Sequence, residues 1–136
     1  GWAVIYSSGA SSQSGIWPFV VPYDYSGNAT LKIQTSVKTV QVGTNSLSYR
    51  VSIAASGATA IESKDFDTPN TGTLTLSNNQ PVGIAKLLNI PLINNDNMVT
   101  GEMAFLQVDR NVGVANNAYG DSAIHGLVLA YVSLPS

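Results

Sequence analysis

The chain has 136 residues and no cysteine, so a disulfide framework, a thiolate metal site and a cysteine nucleophile are all excluded. Its length suits one domain, 1–136, large enough to bury a core without staples. Six basic and eight acidic residues leave a net charge of −2 and only 10% charged residues, against about 25% in typical soluble domains, and that balance gives no electrostatic reason to expect nucleic acid or an anionic membrane as partner.

Ser, Thr, Asn and Gln make up 43 of the 136 residues, so the polar surface is mostly neutral hydroxyl and amide. Such a surface suits a protein packed into an assembly, where charges would have to be desolvated. A secreted monomer with a neutral coat has the same composition.

The chain opens at Gly1 without an initiator Met, and Trp2–Tyr6 lacks the basic start of a signal peptide; either Met was removed, or a leader or upstream domain was cut away. Helical periodicity is scarce. Short runs rich in Val, Ile, Thr and Tyr, bounded by Gly, Asn, Pro and Ser, predict strands at Trp2–Ser7, Ile16–Val21, Thr30–Val37, Ser46–Ala54, Thr73–Leu76, Val82–Ile90, Met103–Asp109 and Ile124–Ser133, with a short extra one near Ala60–Glu62. The expected fold is an all-β, antiparallel, jelly-roll-like sandwich of about eight strands.

In chain order, the first segment that attracts a functional reading is Ile16–Tyr25, with Trp17, Phe19, Tyr23 and Tyr25 beside Asp24. Aromatic faces next to Asp and Asn can stack sugars, so Trp17, Tyr23 and Tyr25 are candidates for a carbohydrate-binding platform; equally, they are the core side of a strand kept off a central position by its prolines. Asn28-Ala29-Thr30 fits a glycosylation sequon. The next two strands alternate cleanly: Leu31, Ile33 and Thr35 oppose Lys32, Gln34 and Ser36, and Leu47, Tyr49, Val51 and Ile53 oppose Ser46, Ser48, Arg50 and Ser52, predicting one buried and one polar face for each.

The loops Ser7–Gly15, Asp65–Gly72, Asn94–Gly101 and Asn111–Asp121 are built from turn formers. Two of them hold hard oxygen ligands that could take calcium, Asp65, Asp67 and Asn70 in one and Asn94, Asp96 and Glu102 in the other, but neither matches a defined calcium loop. No cofactor is expected. Ala85–Leu88 is good helix material, yet Pro81, Gly83 and Pro91 crowd it, which favours the strand. Asp109-Arg110 reads as a structural ion pair.

The last strand, Ile124–Ser133, is apolar on both faces and should be central or buried by another subunit; it is far too short and too interrupted to span a bilayer. It carries the one histidine, His125, read as a hydrogen-bonded core or interface residue, since no Gly-x-Ser-x-Gly elbow or converging carboxylate supports a triad. Glycoside hydrolysis needs two facing carboxylates, and nearly all the acidic residues sit in turns, so no catalytic residue is assigned.

The stretch Phe19-Val20-Val21-Pro22-Tyr23-Asp24-Tyr25-Ser26-Gly27-Asn28-Ala29-Thr30-Leu31-Lys32-Ile33 resembles a segment of the β-sandwich virion proteins of tailed bacteriophages, in which a Phe-x-Val-Pro-x-Asp-Tyr run precedes a glycine and a Thr-Leu-Lys strand. Phe105–Arg110 and Gly120–Tyr131 look like the closing strand pair of that group, with its Arg-Asp step reversed here as Asp109-Arg110; Thr39 to Asn97 matches only in strand rhythm. The resemblance implies a homotrimeric structural protein on a virion, most simply a capsid decoration or cement protein that contacts the major capsid protein, and not an enzyme. The alternative is a carbohydrate- or receptor-binding module of a tail fibre or an extracellular protein.

Overall fold

A computed structural model describes residues 4–6, 14–57 and 65–134. They form eight strands: β1 Val4–Tyr6, β2 Ser14–Val20, β3 Tyr25–Val37, β4 Asn45–Ala55, β5 Asn70–Leu76, β6 Lys86–Pro91, β7 Met103–Arg110 and β8 Ser122–Ser133. They make two four-stranded antiparallel sheets, ordered β1-β8-β3-β6 and β2-β7-β4-β5, so the protein is a β-sandwich. Among these strands only β4 and β5 follow one another within a sheet; every other connection crosses to the opposite layer.

Alternation decides which side chains meet between the layers. Leu31 and Ile33 of β3, Tyr49, Val51 and Ile53 of β4, Ile90 of β6 and Val108 of β7 are fully buried in one shared cluster. Each such aliphatic side chain contributes about 1.5–3 kcal/mol on leaving water. At one margin β5 lies so close to β6 that a Cβ on Gly72 would stand 2.5 Å from the Ile90 side chain, so glycine there seals the seam.

Several expected boundaries shift. The start of the predicted sixth strand, Val82 to Ala85, is a turn, because Gly83 takes a left-handed φ of 79° and donates its N–H to the Val37 carbonyl. β5 begins at Asn70, inside the expected loop, and β3 reaches back to Tyr25 through a register shift between Tyr25 and Ala29. The predicted segment Ala60–Glu62 lies outside the described residues.

The outer side of β4 is not the open polar face that alternation predicts. Ser48 and Ser52 are buried; Ser48 donates to the Gly72 carbonyl and accepts from the Thr73 hydroxyl. Ser48 lies opposite Thr73 of β5 and Ser52 opposite Gln107 of β7, larger cross-strand neighbours that cover these small side chains. The Asp109-Arg110 ion pair also fails to form, since consecutive strand residues point to opposite faces. Asp109 pairs outward with Arg50, whose Nε and Nη2 both donate to one carboxylate oxygen, while Arg110 turns inward.

Candidate assembly surface

Both sheets end in loops that are held by side chains, and the two ends use different chemistry. At the end formed by the β3–β4, β5–β6 and β7–β8 connections, buried Gln41 donates from Nε2 to the Thr39 and Tyr119 carbonyls and accepts at Oε1 from the Tyr119 amide and Asn45 Nδ2. Arg110, 1% exposed, donates to the Gly120 and Ala118 carbonyls and to Asn117 Oδ1. Burial pulls the guanidinium below its ordinary value, opposed by Tyr49 and the nearby Asp121 charge. Thr35 gives its proton to the Ala123 carbonyl, so Tyr49 donates to Thr35 and Ser122 donates to Tyr49; burial raises the Tyr49 phenol above its usual value. These bonds fix loops whose outward side chains are aliphatic, with Val40, Val42, Val82 and Ile84 all exposed.

The opposite end contains the residues singled out as calcium ligands. Asp67 accepts from the amides of Thr68 and Asp96, Asp96 from the amide of Ala55, and Glu102 from the amides of Gly57 and Val99. Asn70 is buried and reaches Val51 and Asn94 through its side-chain amide, while Asp65 is exposed. The acidic oxygens thus staple backbone amides, and no group of three His, Cys, Asp or Glu side chains placed to share a metal ion occurs among the described residues.

The three candidate sugar-stacking aromatics do not share a surface. Tyr25 is buried, meets Tyr131 edge-on at 6.4 Å and accepts from Asn95; Trp17 is partly buried against the core; Tyr23 alone stands in solvent, 82% exposed. His125 is exposed on the outer face of its sheet rather than in the core, at the register shift between Gln34 and Thr35, with Nε2 2.7 Å from the Ser36 hydroxyl. Asn28 of the sequon is exposed at the β3 irregularity.

The surface least satisfied by its own chain runs along β8. In sheet order β8 is interior, as its two apolar faces predict, but β1 pairs with it only at Ser122–Ile124. From Gly126 to Ser133 the other flank of β8 has no strand beside it among the described residues. Its core-facing side chains show the consequence: Leu127, Leu129 and Tyr131 are only partly buried, whereas Leu31 and Ile33 next to them on β3 are fully buried. Contacts between β5 and β6 close the far margin, which places β2 at the same margin as β1, and its inward Trp17 and Phe19 are also only partly buried.

On the outer face β8 presents Val128, 59% exposed, Ala130, and Val132, 62% exposed, followed by exposed Leu134. Beside this column lies a shallow groove of about 750 Å³ lined by Asn28, Thr30, Lys32, Asn89, Pro91 and Val132. The strand end is pinned by Tyr131, which donates to Asp24 at 2.8 Å, and by the Leu134 amide on the Asp24 carbonyl. The phenol holds the Asp24 carboxyl below the usual carboxylate range, and the carboxylate holds the phenol above its usual value. The apolar run of β8 signals buried surroundings; that no described strand lies beside it from Gly126 to Ser133 has no such signature in composition. Comparison with protein-family models gives no match to this chain, and comparison with curated protein sequences gives none.

Proposed function

We propose that this chain is a virion structural protein, a capsid decoration or cement protein that assembles with copies of itself and with the major capsid protein of a tailed phage. The observation that carries the assembly part is the flank of β8 that no described strand covers, where core side chains stay half-exposed beside an outward column of Val128, Ala130 and Val132. A contiguous apolar surface of that kind marks an interaction site on a soluble protein. A surface with few charges has little to desolvate when it is covered.

The crossing connections support reading the sandwich as a jelly roll, with β1-β8-β3-β6 wound against β2-β7-β4-β5 as two interlocked Greek keys. The resemblance of Phe19–Ile33 and Gly120–Tyr131 to phage β-sandwich proteins supports the virion. Fold alone does not give function, so the test addresses the assembly and its location separately. Light scattering on the eluting protein should show an oligomer at micromolar concentration, and the gene should neighbour those for portal, protease and major capsid proteins. A monomer that does not co-sediment with shells of the phage encoding it overturns the reading.

A further inference from the structure

We infer that the flank of β8 that no described strand covers is filled by the same flank of a second copy, the two strands pairing antiparallel about a two-fold axis at Ala130 to make one continuous sheet. This rests on the assembly reading above and names its contact. A sheet edge presents unpaired N–H and C=O groups, so its natural occupant is another extended strand. What singles out a second copy is how the edge meets itself.

Natural edges are blunted by proline, charge, shortness or irregularity. Pro18 interrupts β2, Lys86 and Pro91 bound β6, and β5 shows Thr71, Thr73 and Thr75 outward. Residues Gly126–Ser133 of β8 contain no charge and no proline. A two-fold axis sets every strand against its own reverse, so any residue near the axis faces a fixed partner. With Ala130 on the axis, Val128 faces the second copy's Val132 on the outer side, and Leu129 faces its Tyr131 on the core side. Apolar meets apolar at each position, and no like charges confront one another. Core-side pairing would also cover the half-exposed Leu127, Leu129 and Tyr131.

A single strand pair with its flanking side chains falls near the small end of specific interfaces, about 1,200 Å² in total, so its strength rests on how closely the two edges pack. Its symmetry gives even-numbered assemblies in place of the trimer that the phage resemblance implies.

The absence of cysteine supplies a direct test. Directly opposed residues in an antiparallel pair have Cα atoms about 4.5–5.5 Å apart, within disulfide range. Under mild oxidation Ala130→Cys should form a covalent dimer at least tenfold faster than Asn89→Cys, a control on the exposed outer side of β6. Val128→Glu with Val132→Glu opposes like charges across the axis and should give a monomer; Val128 lies beside Lys32, which accommodates the new carboxylate within the subunit. Val128→Glu with Val132→Lys opposes unlike charges and should restore the dimer. Circular dichroism and the unfolding midpoint establish that each variant is folded. If the wild-type oligomer survives the paired glutamates, or is a trimer, and Ala130→Cys crosslinks no faster than the control, the edge contact is wrong while the assembly reading stands. If the wild type is a monomer throughout, both fall.

Discussion

The two ends of the sandwich face one problem, how to fix long connections against the sheets, and solve it with different groups. At the β3–β4, β5–β6 and β7–β8 end the staples are Gln41, Asn45, Asn78 and the guanidinium of Arg110, none of which changes charge between acid and mildly alkaline pH. At the β2–β3, β4–β5 and β6–β7 end they are the carboxylates of Asp24, Asp67, Asp96 and Glu102. A carboxylate accepts several amides in charge-assisted bonds. The neutral end carries exposed aliphatic residues on loops that pH does not loosen. Four of the chain's eight acidic residues serve as scaffolding at the other end, partly exposed or at the surface while they hold its loops.

The largest effect should come from the neutral end. Arg110→Met removes the donor to the buried Ala118 carbonyl and to the Gly120 carbonyl, and should lower stability by about 3 kcal/mol in urea unfolding. Gln41→Ala removes four bonds made by one buried side chain and should cost about 2 kcal/mol. Gln41→Glu sharpens the contrast further. The new carboxyl keeps the acceptor role but loses the two donated bonds when ionised, so its folded pKa is raised. Its stability is then retained below the ordinary carboxylate range and lost as pH rises through the folded value, giving the neutral end a pH dependence it lacks.

The acidic end should respond more weakly, because its staples are partly solvated. Asp67→Ala frees the Thr68 and Asp96 amides and should cost about 1 kcal/mol, read in the same unfolding experiment. The smallest effect concerns Asp24, exposed at the surface. Its folded pKa is depressed by the Tyr131 hydroxyl, so its contribution is present above the unfolded carboxylate value and is lost as pH falls through the folded one. Hydrogen-exchange protection at the end of β8, corrected for the intrinsic slowing of exchange in acid, should therefore fall as pH drops, and Tyr131→Phe should remove that acid-dependent step.

These contrasts also mark what could be read in the sequence. The period-two patterns of Leu31–Ser36 and Ser46–Ile53 identify β3 and β4 and their core faces, because a strand with one apolar side has only one way to sit on a core. Turn chemistry hides more. The segment Val82–Ala85 has strand-like composition but follows Gly83 into a turn, and Asn70–Gly72 has loop composition but joins β5, where Gly72 is required by the approach of Ile90. The aromatic run Trp17–Tyr25 carries both a core reading and a sugar reading in sequence, and only the placement of the turn at Tyr23-Asp24 separates Tyr23 outside from Tyr25, the first residue of β3, inside. Composition shows that Ile124–Ser133 wants apolar surroundings on both sides. It does not show that, among the described residues, β1 pairs with it only at Ser122–Ile124.

Sedimentation velocity of the wild-type chain across a concentration series tests most directly whether this is an assembly module. A boundary that moves to larger species as concentration rises through the micromolar range is the predicted result; a single monomeric species up to about 100 μM, where even a weak contact of a few kcal/mol more than the encounter cost would be populated, contradicts it.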